Sequence, residues 1–69
     1  MKLSARNIIK GTVTKLTQGA VNSEVVIKLN GGEEIVSIIT RQSAETLGIA
    51  EGKEVYVVIK ASNVMLAVD

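Results

Sequence analysis

The stretch VVIKLNGGEEIVSIITRQSAETLG, residues 25–48, changes its backbone period partway along. Val25, Ile27 and Leu29 fall on every second position, and Ile35, Ser37 and Ile39 do the same after a gap. Period-two alternation rich in β-branched residues is the pattern of two half-buried strands. Asn30-Gly31-Gly32 lies between them, and Asn-Gly readily takes the positive φ values of a tight primed turn, so a hairpin is expected. From Thr40 the spacing becomes helical. Thr40 is placed as an N-cap, Ala44 and Leu47 share one helical face, and Gly48 stands where a left-handed C′ residue belongs. A two-turn helix is therefore expected over 40–48.

Outward from this stretch, glycine alone punctuates the chain, since there is no proline. Upstream, one long strand is expected over about residues 3–17, ahead of Gly19. Downstream, Gly48 and Gly52 bracket a short acidic turn. Two closing strands come next, carried by Val55, Val57 and Ile59 and by Val64, Leu66 and Val68. Five strands with one short helix between the third and fourth make an all-β fold, a small Greek-key β-barrel of OB type. An SH3-like barrel shares these periodicities, and the spacing alone does not separate the two.

With 69 residues, a single domain spanning 1–69 is expected. A chain of this size buries only about 60% of its unfolded surface, and one such core rarely supplies more than about 3–5 kcal/mol. Cysteine and histidine are both absent, so there is no disulfide, no thiolate and no imidazole. Neither a metal-cation site nor an organic cofactor is expected. Hydrophobic residues make up 46% of the chain, high for so small a monomer, and this points to a homo-oligomer.

Eight basic residues against seven acidic ones give a net charge of +1, with no run of either sign. That balance argues against a nucleic-acid tail or a membrane-binding stripe. No apolar stretch approaches the roughly 18 residues of a spanning segment, no signal-peptide pattern opens the chain, and a cytoplasmic location is expected. OB-type barrels often bind single-stranded nucleic acid through a basic groove and aromatic platforms. Tyr56 is the only aromatic residue, so that alternative is disfavoured. Enzymatic chemistry also lacks its usual groups. Glu24, Glu33, Glu34, Glu45, Glu51 and Glu54 fall near turns and element ends, where a solvated role is the ordinary one.

The remaining unusual features concern anions. Arg6 is flanked by Ser4 and Asn7, and a guanidinium fork beside hydroxyl and amide donors suits a tetrahedral oxyanion. Lys60 ends the apolar run Tyr56–Ile59, and Ala61-Ser62 comes after it with backbone donors. Ser43 falls in the first turn of the helix, where free N–H groups favour negative charge. Each residue also has a plainer reading: Arg6 lying over apolar surface, Lys60 solvated at a strand end, Ser43 only capping the helix.

SARNIIKGTV (4–13), QGAVNSEVVIKL (18–29), IVSIITRQSAETLGIAEGKEV (35–55) and VYVVIKASNVML (55–66) together resemble the Mop domain of the molbindins, small bacterial molybdate-binding proteins. SARN and K-A-S are the most specific tracts. Similar domains occur paired in molybdate-responsive regulators and, as the TOBE domain, at the end of transporter ATPases. With 69 residues, neither added module is expected here. The IIK after SARN departs from the more usual QLK-like sequence.

The resemblance implies an OB-type barrel whose subunits swap or share strands in a hexamer built as a trimer of dimers. It also implies molybdate or tungstate held between subunits, for intracellular molybdenum storage or homeostasis and not for catalysis. Carried over by position, Ser4, Ala5 and Arg6 form one side of the principal site, with Ser43, Lys60, Ala61 and Ser62 completing it from a neighbouring chain. A second oxyanion site is implied at Gly19, Ala20, Val21 and Asn22. The alternatives are an OB-type nucleic-acid module and a purely structural oligomerisation domain.

Overall fold

The computed structural model describes residues 1–69. Four strands, β1 (Asn7–Gln18), β2 (Asn22–Leu29), β3 (Glu34–Thr40) and β4 (Glu54–Ile59), are joined by the helix α1 (Arg41–Leu47) between β3 and β4. A three-residue 3₁₀ turn, Ala61–Asn63, comes after β4. The strands form one curled antiparallel sheet in the order β3-β2-β1-β4.

The period-two pattern decides the core. Register pairs Val25 with Ser37, Ile27 with Ile35 and Val13 with Ile27, so these side chains share the concave face. Val13, Val25 and Ile27 are buried there, with Leu16, Leu29, Ile39, Ile49, Val55 and Val57 packed around them. Burial of such apolar area is the main favourable term in the fold. The core is small, because only 6 of 69 residues are buried.

Curling depends on three features of β1. A bulge between Val13 and Lys15 leaves Thr14 outside the ladder, and its hydroxyl donates to the Val26 carbonyl at 3.3 Å. Bulges bend a strand and sharpen its twist. At Val13 the strand also bonds the turn before β4, donating to Lys53 O at 2.9 Å and accepting from Gly52 N at 2.8 Å. Gly11 is buried, and a Cβ there would lie 2.9 Å from the Lys28 carbonyl oxygen, so only glycine lets β1 lie this close to β2.

The helix forms as its sequence suggests. Thr40 accepts the Ser43 N–H at 3.0 Å as N-cap. Gly48 takes the left-handed conformation at φ 66°. Its N–H reaches Glu45 O at 3.0 Å while Ile49 N–H reaches Ala44 O at 2.9 Å, which is a Schellman closure. Ala44 is the residue α1 buries.

A long β1 shared by β2 and β4, with a helix between β3 and β4, is the OB-type layout expected. Three details differ from expectation. The 30–32 turn is not a primed turn, since Asn30 and Gly31 lack positive φ and Gly32 alone has it, at 95°. Gly32 N–H bonds Leu29 O at 3.0 Å and Leu29 N–H bonds Glu33 O at 2.8 Å. With three loop residues available, a turn plus one left-handed glycine closes the hairpin without strain at asparagine. Second, β1 begins at Asn7 and not near residue 3, because its partner β4 ends at Ile59. Third, no fifth strand forms over 64–68. Met65, Leu66 and Val68 are 93%, 92% and 97% exposed, and the segment forms no ladder with the free edge of either β3 or β4.

Candidate functional site

The β1–β4 ladder runs from Thr12–Glu54 to Asn7–Ile59. Asn7 Nδ2 donates to the Ile59 carbonyl at 3.1 Å and pins this last rung. Arg6 and Lys60 each lie one residue beyond it, on opposite strands. The ladder therefore brings SARN (4–7) and KASN (60–63), fifty-odd residues apart in sequence, to one end of the sheet. Ser4, Arg6, Lys60, Ala61 and Ser62 are exposed there, and Ala5 is half-buried.

Lys60 is extended, with φ −65° and ψ 133°, and leads into the 3₁₀ turn. Lys60 O accepts from Asn63 N at 2.9 Å, and Ala61 O from Val64 N at 3.3 Å. The first N–H groups of such a turn have no partner within it, so Ala61 and Ser62 present donors beside the Lys60 ammonium. Two cations, hydroxyls and free amides are the donor set that binds a tetrahedral oxyanion.

Ser43 lies elsewhere. It comes just after the Asn22–Thr40 rung, at the opposite end of the sheet from Asn7–Ile59. Its hydroxyl accepts from the Thr40 hydroxyl at 2.8 Å while its N–H is taken by Thr40 Oγ1, so within one chain Ser43 is the partner of the Thr40 cap and not itself the cap expected in its plainer reading. Gly19, Ala20, Val21 and Asn22 are at that same end. Gly19 N–H bonds Asn22 O, and Val21 O accepts the Arg41 N–H, both at 2.8 Å. An open groove there is lined by Ala20, Val21, Thr40, Arg41, Gln42 and Glu45, with Arg41 Nε 3.3 Å from Glu45 Oε1.

Two side chains have uses their sequence context does not show. Asn7, expected as an anion donor, instead spends an N–H on β4. Lys53 donates to Leu47 O at 2.6 Å and Gly48 O at 3.2 Å, closing the C-terminus of α1. A basic residue five or six positions past a helix end carries no local signal of this. On the outer face, Lys10 Nζ lies 2.9 Å from Glu54 Oε2. The hydrogen bond and charge of Glu54, with a smaller contribution from Tyr56, raise the Lys10 pKa above its ordinary 10.5. No group of three or more His, Cys, Asp or Glu side chains is placed to hold a metal ion.

An apolar cleft of about 170 Å³ opens on the concave face, lined by residues that include Ile27, Ile39, Ile49, Val55 and Val57. Neither β3 nor β4 has a neighbour on its outer edge.

A curled OB-type sheet that gathers two cations, two serines and free amides at one ladder end belongs to the class of small β-barrel binding domains. Residues 3–66 match the TOBE domain, and the chain belongs to that family. It is 47% identical over 66 residues to molybdenum-pterin-binding protein 1 of Clostridium pasteurianum, covering 96% of this chain and 97% of that one. It is 49% identical to MopA of Rhodobacter capsulatus, of which it spans only 25%. The fold superposes on MopII of Clostridium pasteurianum with a TM-score of 0.92 at 45% identity, covering 97% of this chain and all of that one. It also matches the molybdate-binding protein of Sporomusa ovata, with a TM-score of 0.92 at 31% identity, covering 97% and 98% of the two chains.

Proposed function

We propose that the protein binds molybdate or tungstate at the Arg6–Lys60 end of the sheet, as a binding protein without catalytic activity, and serves intracellular molybdenum storage or homeostasis in the cytoplasm. One observation carries the reading. The β1–β4 register sets Arg6 and Lys60 beside the same last rung, with Ser4, Ala5, Ala61 and Ser62 adjoining them. The names of the relatives, molybdenum-pterin-binding and molybdate-binding proteins, support the choice of ligand.

The unit acts as one domain over 1–69 and assembles with itself. In a single chain the site is exposed, and an exposed ion pair is worth little against water. Burial between copies changes that balance. Every hydrogen bond to the dianion is then charge-assisted and contributes about 1.5–3 kcal/mol. The exposed apolar segment 64–68, the unpaired edges of β3 and β4 and the apolar cleft fit strand exchange between copies, in a hexamer arranged as a trimer of dimers. Ser43, at the far end of its own sheet, joins the Arg6–Lys60 site from another copy. Gly19 to Asn22 form a second oxyanion site.

Sulfate has the same charge and shape as molybdate but is smaller, so cavity size discriminates between them, and tungstate behaves as molybdate does. Calorimetric titration tests the reading. Micromolar or tighter binding of molybdate is expected for the native chain, with most of it lost in Arg6→Ala and in Lys60→Ala. No heat with either molybdate or tungstate would overturn it.

A further inference from the structure

Outward from the Asn7–Ile59 rung, one strand continues Arg6-Ala5-Ser4 and the other Lys60-Ala61-Ser62. The two tracts are mirror images in the antiparallel register. Continuing that register by three rungs would set Arg6 opposite Lys60, Ala5 opposite Ala61 and Ser4 opposite Ser62. Alternation along a strand then places Arg6, Lys60, Ser4 and Ser62 on one face, with the two small alanines turned to the other.

Nevertheless, the ladder stops at Asn7–Ile59. Lys60 is still extended, and Asn7 pins the rung next to it, but Arg6 and Ser4 lie in bends and Ala61–Asn63 turns away in its 3₁₀ turn. The next rung would oppose two cations, and like charges directly across a ladder are destabilising. Beyond Lys60 the chain is loosely held, by a single 3₁₀ turn closed with bonds of 2.9 and 3.3 Å.

We infer that an oxyanion shared by Arg6 and Lys60 is the element that carries the ladder past Asn7–Ile59. Segments 4–6 and 60–62 close on the ligand as a clasp. The dianion's two charges match the two cations, and the two serine hydroxyls reach its remaining oxygens. Closure extends β1 and β4 and sets the direction in which residues 64–69 leave the sheet. Ligand binding thereby orders the segment that a second copy would receive. A tetrahedral monoanion of molybdate's size, such as perrhenate, leaves one cation unbalanced and closes the clasp less well. This inference rests on the oxyanion reading of the same site.

Residue-resolved amide hydrogen exchange on the full chain tests it, run beside calorimetry with sodium molybdate and with sodium perrhenate. With saturating molybdate, the alternate amides of Ser4–Arg6 and Lys60–Ser62 that face across the extended ladder should slow by tenfold or more, while those of β2 and β3 change little. Perrhenate should give a smaller slowing. In Lys60→Gln, where the repulsion is gone, the Ser4–Arg6 amides should already be slowed without any oxyanion. Molybdate heat with unchanged exchange at these amides overturns the clasp and leaves the binding reading standing. No molybdate heat overturns both. Ser4–Arg6 amides that exchange in anion-free Lys60→Gln as fast as in the anion-free native chain also overturn it.

Discussion

At the Gln18 end of β1 the chain completes itself: a hairpin turn, a helix capped by Thr40 and Gly48, and Lys53 on the last carbonyls of α1. At the Asn7 end two cations, a three-residue turn and an apolar tail stand exposed around one pinned rung. Both ends belong to the same sheet and the same strand. The difference is that at the Gln18 end turns and caps close the backbone within the chain, leaving Ser23 Oγ buried without a partner and Val21 exposed, whereas the Asn7 end presents two cations, hydroxyls and a whole apolar tail with no partner in the chain. Where a fold this small leaves itself unfinished is where its function is to be sought.

The contrast between the ends breaks most severely at the core that both share. Ile27→Ala removes a buried side chain whose loss costs about 2–5 kcal/mol, comparable to the roughly 3–5 kcal/mol such a domain has. Circular dichroism should show the variant largely unfolded at 37 °C when free of ligand.

Next in size is a change confined to the unfinished end. Leu66→Asp places a charge in the exposed tail and touches none of the packed core. Sedimentation should show the proposed assembly falling toward monomer while the circular dichroism of the sheet is kept.

Two substitutions probe the finished end. Gly48→Ala forces a side chain into a left-handed position, with its Cβ 3.1 Å from Lys53 Nζ, and should cost about 1–2 kcal/mol. Thr40→Ala deletes the N-cap and should cost about 1 kcal/mol. Denaturant unfolding measures both, and oxyanion affinity at the Arg6–Lys60 site of the same chain should be unchanged by Gly48→Ala.

The smallest effect belongs to the Lys10–Glu54 pair on the outer face. Since the folded state raises the Lys10 pKa above 10.5, the stability it contributes is fully present below the unfolded value. It is lost as pH rises through the raised folded value. The small difference in melting temperature between the native chain and Lys10→Met should hold at neutral pH and vanish in strong alkali.

Legibility in the sequence divides along the same line. Val25 to Leu29, Ile35 to Ile39 and Thr40 to Gly48 declare themselves because their periods and caps are local, set by contacts within a few residues. The turn at 30–32 falls where the sequence puts it but with a different backbone, since two glycines in succession move the positive φ from Asn30-Gly31 to Gly32. Residues 64–68 have the alternation of a strand, but period reports only which face a strand would bury. It cannot say whether a partner edge exists in the same chain. At the site, SARN and K-A-S are recognisable as a pair, but their meeting at one rung is a property of long-range register. Ser43 is legible as a residue of the first helical turn, and its remoteness from Arg6 within one chain is not.

The most direct test is the melting temperature of the native protein alone and with molybdate, tungstate, sulfate or phosphate. At about 100 times the dissociation constant, a ligand bound only by the folded state stabilises by about 2.7 kcal/mol. For a domain of this size each kcal/mol shifts the midpoint by about 4–8 °C. Molybdate and tungstate should therefore both raise it by on the order of 10 °C or more, with sulfate and phosphate producing little change. Equal melting in all five conditions, or a shift with sulfate as large as that with molybdate, would contradict the account.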